Sequence, residues 1–129
     1  MGKNEIRERG GDTSSRHFSK GVVVYNPQKI IFISGTCSRK GGGIKDQADD
    51  VFEKIRALLK EAGASWSDVV KTTTFLRDIE KDYEAFNEAR AKFFQGEGLN
   101  NPLPTSTTVQ AKLARSEFLI EIEVTAALD

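Results

Sequence analysis

Two stretches of the chain carry side chains that could do chemistry together. From Phe118 to Val124 the order Phe, Leu, Ile, Glu, Ile, Glu, Val sets Glu121 and Glu123 two residues apart. On an extended strand that spacing puts both carboxylates on one face, about 6–7 Å apart, and leaves Phe118, Ile120, Ile122 and Val124 on the other. Carboxylates so placed can orient a water molecule or move a proton. Upstream, Thr105 to Ala111 reads as a second strand with Ser106, Thr108 and Gln110 on one side of its pleat. If the two strands pair, hydroxyls and carboxylates could line a single pocket, and the register decides whether their faces coincide. Lys112 and Arg115, in the basic turn between them, are either an anion contact or a solvated turn.

Other reactive types are scarce. Cys37 is the one cysteine and His17 the one histidine, so neither an internal disulfide nor a Cys/His zinc site can be assembled from one chain. Any metal would need carboxylates or ligands from symmetry-related copies. Cys37 has no basic partner fixed by spacing that would make it a nucleophile. Gly41-Gly42-Gly43, although flanked by lysines, lacks the Gly-Lys-Ser/Thr ending of a phosphate loop. Lysine plus arginine and aspartate plus glutamate number 19 each, which removes the broad attraction expected of a protein for nucleic acid or a membrane surface. The first residues are polar, without the apolar core of a signal peptide, and a cytoplasmic protein is expected.

The elements that must position these residues follow from periodicity. At 129 residues the chain is one domain. Residues 1–16 are polar and mixed in charge and read as a mobile arm, with the domain proper at 17–129. Ser19–Tyr25 and Ile30–Ser34 are strands joined by a turn at Asn26-Pro27, and the second runs into the small residues Ser34-Gly35-Thr36, where a ligand could approach the backbone. From Asp46 to Ala62, Val51, Ile55, Leu58, Leu59 and Ala62 recur at helical spacing, and Gly63 ends the helix. Val69–Leu76 is a β-branched strand. Asp78 caps a second helix whose apolar stripe includes Tyr83, Ala85, Phe86 and Ala89, with Asn87 beside it. The order ββαβαββ predicts an α+β domain, two helices on one face of a mixed sheet. Its other face has no helix left to cover it, which points to other copies of the chain.

The segments FISGT (32–36), DQADDVFEKIRALLKEAGAS (46–65), DVVKTTTFLRD (68–78), FNEARAKFF (86–94) and PTSTTVQAKLARSEFLIEIEVTA (104–126) together resemble the RidA/YjgF family over nearly the whole chain from Phe18 onward. The resemblance implies a chorismate-mutase-like fold assembled as a homotrimer with a barrel-like centre and a small-molecule cleft between neighbouring subunits. It also implies hydrolysis of reactive enamines or imines to ketoacids and ammonia without a cofactor. Residue by residue, it implies that Glu121 positions the water, and that Asn87, Gly35 with its neighbour Ser34, and Phe18, where the family has a tyrosine, contact the substrate.

The pattern departs from the family at Phe18, in a first hairpin about two or three residues longer, and most directly between Pro104 and Thr108. Where the family reads Pro-Ala-Arg-Ser before Thr or Cys, this chain has Pro104-Thr105-Ser106-Thr107-Thr108, with Ser106 replacing the arginine that grips the substrate carboxylate. Ser106, Thr107 and Thr108 are therefore the expected hydrogen-bonding residues. An arginine contact of that kind contributes about 1.5–3 kcal/mol, so an altered substrate preference is expected. The FISGTCSR segment is similar to that of 2-aminomuconate deaminases. The alternative is a small-molecule-binding trimer that has lost the chemistry. Ribonuclease activity fits poorly with zero net charge and one histidine.

Overall fold

A computed structural model describes residues 2–6, 17–99 and 102–129. The strands are β1 (Gly2–Ile6), β2 (Gly21–Tyr25), β3 (Lys29–Cys37), β4 (Val69–Leu76), β5 (Thr105–Gln110) and β6 (Ile120–Leu128), and the helices α1 (Ile44–Glu61) and α2 (Ile79–Gly96). A single 3₁₀ turn, Trp66–Asp68, leads into β4. The main sheet has the order β3-β6-β4-β5, with β4 and β5 parallel and the other pairs antiparallel. The expected α+β class, with two helices on one face of a mixed sheet, is the observed one.

Three expectations need correction. The carboxylate strand and the hydroxyl strand do not pair, because β4 lies between β6 and β5. Parallel β4 and β5 cannot be joined by a tight turn, and α2 is their crossover. Nor do the first two expected strands form a hairpin. β2 pairs with β1, Gly2 opposite Tyr25 through Ile6 opposite Gly21, as a separate two-stranded sheet. Part of the expected mobile arm is thus a strand, since backbone pairing needs no apolar side chains. The remainder of that arm, residues 7–16, lies outside the described residues.

Both helices bury one stripe. On α1 the buried residues are Ile44, Gln47, Ala48, Val51, Phe52, Ile55 and Leu59, the three- and four-residue spacing of a single face. Leu58, expected in that stripe, is instead exposed. The helix ends at Ala62, followed by Gly63 at φ +79°, the left-handed position glycine takes without steric cost. Asp78 caps α2, its carboxylate accepting from the backbone of Lys81 at 3.2 Å. Between helices and sheet, Phe52 stacks on Phe93 with ring centroids 4.9 Å apart and meets Trp66 edge-on at 5.8 Å. The Trp66 indole donates to the Phe52 carbonyl at 3.2 Å. Beneath them Ile120, Ile122, Val124 and Ala126 of β6 face the helices, each fully buried or nearly so. Burial of such a side chain contributes about 1.5–3 kcal/mol, which fixes the face of β6 that looks outward.

Candidate functional site

Glu121 and Glu123 stand on the outward face of β6, as the alternation requires. In β3, Ile33 is opposite Val124 but Thr36 is opposite Ile122, so Ser34 and Gly35 form a bulge against Glu123. A bulge re-aims the backbone, and here it brings Gly35 onto Glu121. A Cβ at position 35 would lie 2.3 Å from Glu121 Oε2 and 2.7 Å from its carboxyl carbon. Only glycine permits that approach. The other oxygen, Oε1, accepts from the Cys37 thiol at 3.1 Å. Burial, then the hydrogen bond and charge of Glu121, push the thiol up to about 12. At neutral pH Cys37 is a hydrogen-bond donor that holds the carboxylate in place.

The rim of this group is tied down by α1. Ser38 donates to Asp50 at 2.6 Å, and that bond, aided by Lys54 and Lys40, holds the Asp50 carboxyl below its ordinary range. Lys54 reaches back to the Cys37 carbonyl at 2.8 Å. The buried Gln47 amide donates to the carbonyls of Lys40 at 3.1 Å and Glu117 at 2.9 Å, and accepts from the Leu119 amide at 2.9 Å. The loops on either side of Glu121 thus share one anchor.

A second group forms between α2 and β5. Ser106 is opposite Thr72 and Thr108 opposite Thr74, and those β4 threonines are buried on the helix-facing side. Thr107, opposite Thr73, lies on the outward face with the glutamates, in the row of Glu123. Ser106 and Thr108, with Phe18, Ile79, Lys81 and Tyr83, line a groove of about 470 Å³ that also contains Glu80 and Glu84. Phe18 is held there by its neighbour Ser19, which donates through its amide to Pro104 at 3.0 Å and through its hydroxyl to Leu103 at 2.5 Å. Ser34 lines a different hollow of about 280 Å³ on the outward face, with Phe32, Lys71, Thr73 and Glu123. The expected site residues therefore fall into two sets, Ser34, Gly35, Thr107 and Glu121 on one face and Phe18, Asn87, Ser106 and Thr108 on the other.

The residue that sequence reasoning missed is Arg90. Its guanidinium donates from Nη1 to Ser106 Oγ at 2.8 Å and from Nη2 to Asn87 Oδ1 at 2.7 Å. The Phe86 and Phe18 rings lie 4.8 Å and 5.6 Å from it. Arg90 is only 2% exposed, and burial, offset in part by Tyr83, pulls its pKa down to about 10. It remains a cation at neutral pH. The signal was present in the spacing, since Phe86, Ala89, Arg90 and Phe93 follow the i, i+3, i+4, i+7 rule of a buried stripe. Lys112 and Arg115, the cations singled out from sequence, keep their side chains exposed. The Arg115 backbone carbonyl serves instead as an acceptor for Arg77.

A mixed sheet with two helices on one face, a glycine bulge seated on a strand carboxylate, and a polar groove beside the second helix define a class of small α+β proteins. The Endoribonuclease L-PSP family model matches residues 13–128. The chain belongs to that family, the RidA/YjgF family. It is 40% identical over 116 residues to a RutC family protein of Pyrococcus abyssi, covering 84% of each chain. A 2-iminobutanoate/2-iminopropanoate deaminase of Dermatophagoides farinae is 32% identical over 113 residues, covering 82% of this chain and 81% of that one. Among solved structures, the Rid-family protein YyfB of Yersinia pestis superposes with a TM-score of 0.83 at 25% identity, covering 99% of this chain and 100% of that one. The family thus includes proteins named as imine deaminases.

Proposed function

We propose that the protein hydrolyses a small reactive enamine or imine, releasing ammonia, with Glu121 as the residue that orients and deprotonates water. The observation that carries this reading is the Glu121 carboxylate itself, with one oxygen held by the Cys37 thiol at 3.1 Å and the other against the bare Cα of Gly35. Water adds to the carbon of the C=N bond while its proton passes to the carboxylate. The carboxyl returns that proton to nitrogen to give the neutral carbinolamine, then takes the hydroxyl proton and passes it to the amine as the C–N bond breaks, leaving a carbonyl and ammonia. Atoms and charge balance without an oxidant or metal. Backbone amides at the Ser34–Gly35 bulge receive the developing oxygen charge.

Within one chain Glu121 and Ser106 occupy opposite faces of the sheet, so one small molecule cannot touch both. A homotrimer resolves this. Packing the outward face of one copy against the α2–β5 edge of the next would bring Glu121 and Thr107 to the groove lined by Phe18, Ser106 and Thr108. The substrate then differs from a simple 2-imino acid in how it is gripped, and an enamine resembling 2-aminomuconate belongs among those to test.

The deciding assay measures ammonia release from freshly generated 2-iminobutanoate and from 2-aminomuconate. Wild type is expected to exceed the buffer rate with at least one, and Glu121→Ala to lose about 10²–10⁴-fold, the usual range for an acid–base residue. Gly35→Ala, which displaces the carboxylate, should lose activity with little change in folding. Release no faster than buffer with both substrates would overturn the reading, and a small molecule retained in native mass spectra would then favour a binding protein without the chemistry.

A further inference from the structure

The least balanced charge among the described residues is the Arg90 guanidinium. It is almost completely buried, and its hydrogen-bond partners, Ser106 Oγ and Asn87 Oδ1, are both neutral. No carboxylate pairs with it among the described residues, and its Nε is buried without an acceptor. His17 Nδ1 is likewise buried and unpartnered. Burial, and then the charge of Arg90, lowers the His17 pKa below its ordinary value. A buried cation is unfavourable unless an anion compensates it, and the two phenylalanine rings offset only part of that cost.

Ser106 links this charge to the groove. Its oxygen accepts from Arg90, so its own O–H is free to donate, and Ser106 lines the groove while Arg90 stands behind it. The Asn87 oxygen is engaged in the same way, which leaves its NH₂ as a donor. Glu80, Glu84 and Lys81 also line the groove, so the groove as a whole is not cationic. The positive end is local to Ser106.

We propose that Arg90, acting through Ser106 and Asn87, is a built receptor for the carboxylate of a small-molecule ligand, and that it determines specificity for anionic over neutral ligands in this groove. The inference rests on the deaminase reading for the identity of the ligand as substrate, and it extends that reading by naming the residue behind Ser106 that sets the charge preference. Its test is equilibrium binding, so the two can fail separately.

Titration calorimetry on the wild-type protein with 2-oxobutanoate, its methyl ester and inorganic phosphate supplies the test. The acid is expected to bind at least ten-fold more tightly than the ester. Arg90→Met should weaken the acid about 10–100-fold, the loss of a charge-assisted hydrogen bond, while leaving the ester unchanged. Thermal stability should stay the same or rise, because an uncompensated buried charge is removed. Ser106→Ala, which leaves Arg90 in place, should weaken the acid about 3–10-fold. Equal binding of acid and ester, or an Arg90→Met protein that folds and binds the acid normally, overturns the proposal. If Arg90→Met does not fold, the acid–ester contrast and Ser106→Ala decide. Phosphate binding as tightly as the acid, in an Arg90-dependent manner, overturns the carboxylate assignment. Acid binding without ammonia release leaves the receptor standing and removes the deaminase.

Discussion

Cys37 shows how a single contact can reverse the chemistry its type suggests. A lone half-buried cysteine near a cluster of small residues invites a nucleophilic role, yet a thiol that donates to Glu121 resists ionisation. The pH dependence follows in sign. The thiol ionises near 9.0 in its ordinary state and near 12 in the fold. The native protein therefore holds a proton that the unfolded chain loses across this range, and its contribution to stability is complete below about pH 9 and declines as pH rises toward 12. Iodoacetamide labelling of the native protein is expected to lack the inflexion near pH 9 that the urea-unfolded chain displays, and to be at least ten-fold slower at pH 9. Glu121→Gln should restore part of the rate by removing the carboxylate charge. Labelling of native wild type at the unfolded rate would show that Cys37 does not donate to Glu121.

Among the elements, α1 does more than cover the sheet. Its buried amide, Gln47, satisfies two carbonyls and one N–H from segments 77 residues apart in sequence, at Lys40 and at Glu117, and no water is needed to complete that set. Gln47→Leu keeps the volume but leaves those backbone groups unpaired, and should cost about 1–3 kcal/mol in urea unfolding. Activity should fall further than stability alone explains, because the loops at Lys40 and Glu117 both flank the strand that carries Glu121. A Gln47→Leu protein with unchanged midpoint and activity would show that the loops hold their positions by themselves. Element order, by contrast, settles which hydroxyls can meet which acids. With β4 between β6 and β5, Ser106 and Thr108 turn toward the helices and only Thr107 turns with the glutamates.

At the scale of the whole molecule, the outward sheet face is the feature still to be satisfied. Phe32 is 79% exposed and Ile30 53%, on strand β3 beside the threonines and acids of β4 and β6. Large apolar side chains standing in water on an ordered sheet fit the proposed packing of this face against another copy. Sedimentation equilibrium is expected to give three times the chain mass of 14.3 kDa. Phe32→Glu should shift the protein to monomer and abolish ammonia release while far-ultraviolet circular dichroism stays native. A wild-type monomer, or an active monomeric variant, would end the model of a cleft shared between copies. No helix among the described residues is long and apolar enough to cross a membrane.

Local physics made much of this legible from sequence. The alternation through Phe118–Val124, the helical spacing of Val51, Ile55 and Leu59, the Asp78 cap and the Gly63 stop each depend on neighbours within a few residues, and each was read correctly. So was Glu121 on the outward face, since a strand with one buried side leaves no choice for the other. What tertiary structure alone decided is non-local. Strand order is set by which surfaces pack, and β4 lies between the carboxylate strand and the hydroxyl strand. The Ser34–Gly35 bulge is defined only against β6. Arg90 lies on the apolar stripe of α2, where periodicity marks burial but not what is buried beside it. Its meeting with Ser106 joins a helix to a strand across sixteen residues, and only the folded chain puts a cation behind that serine.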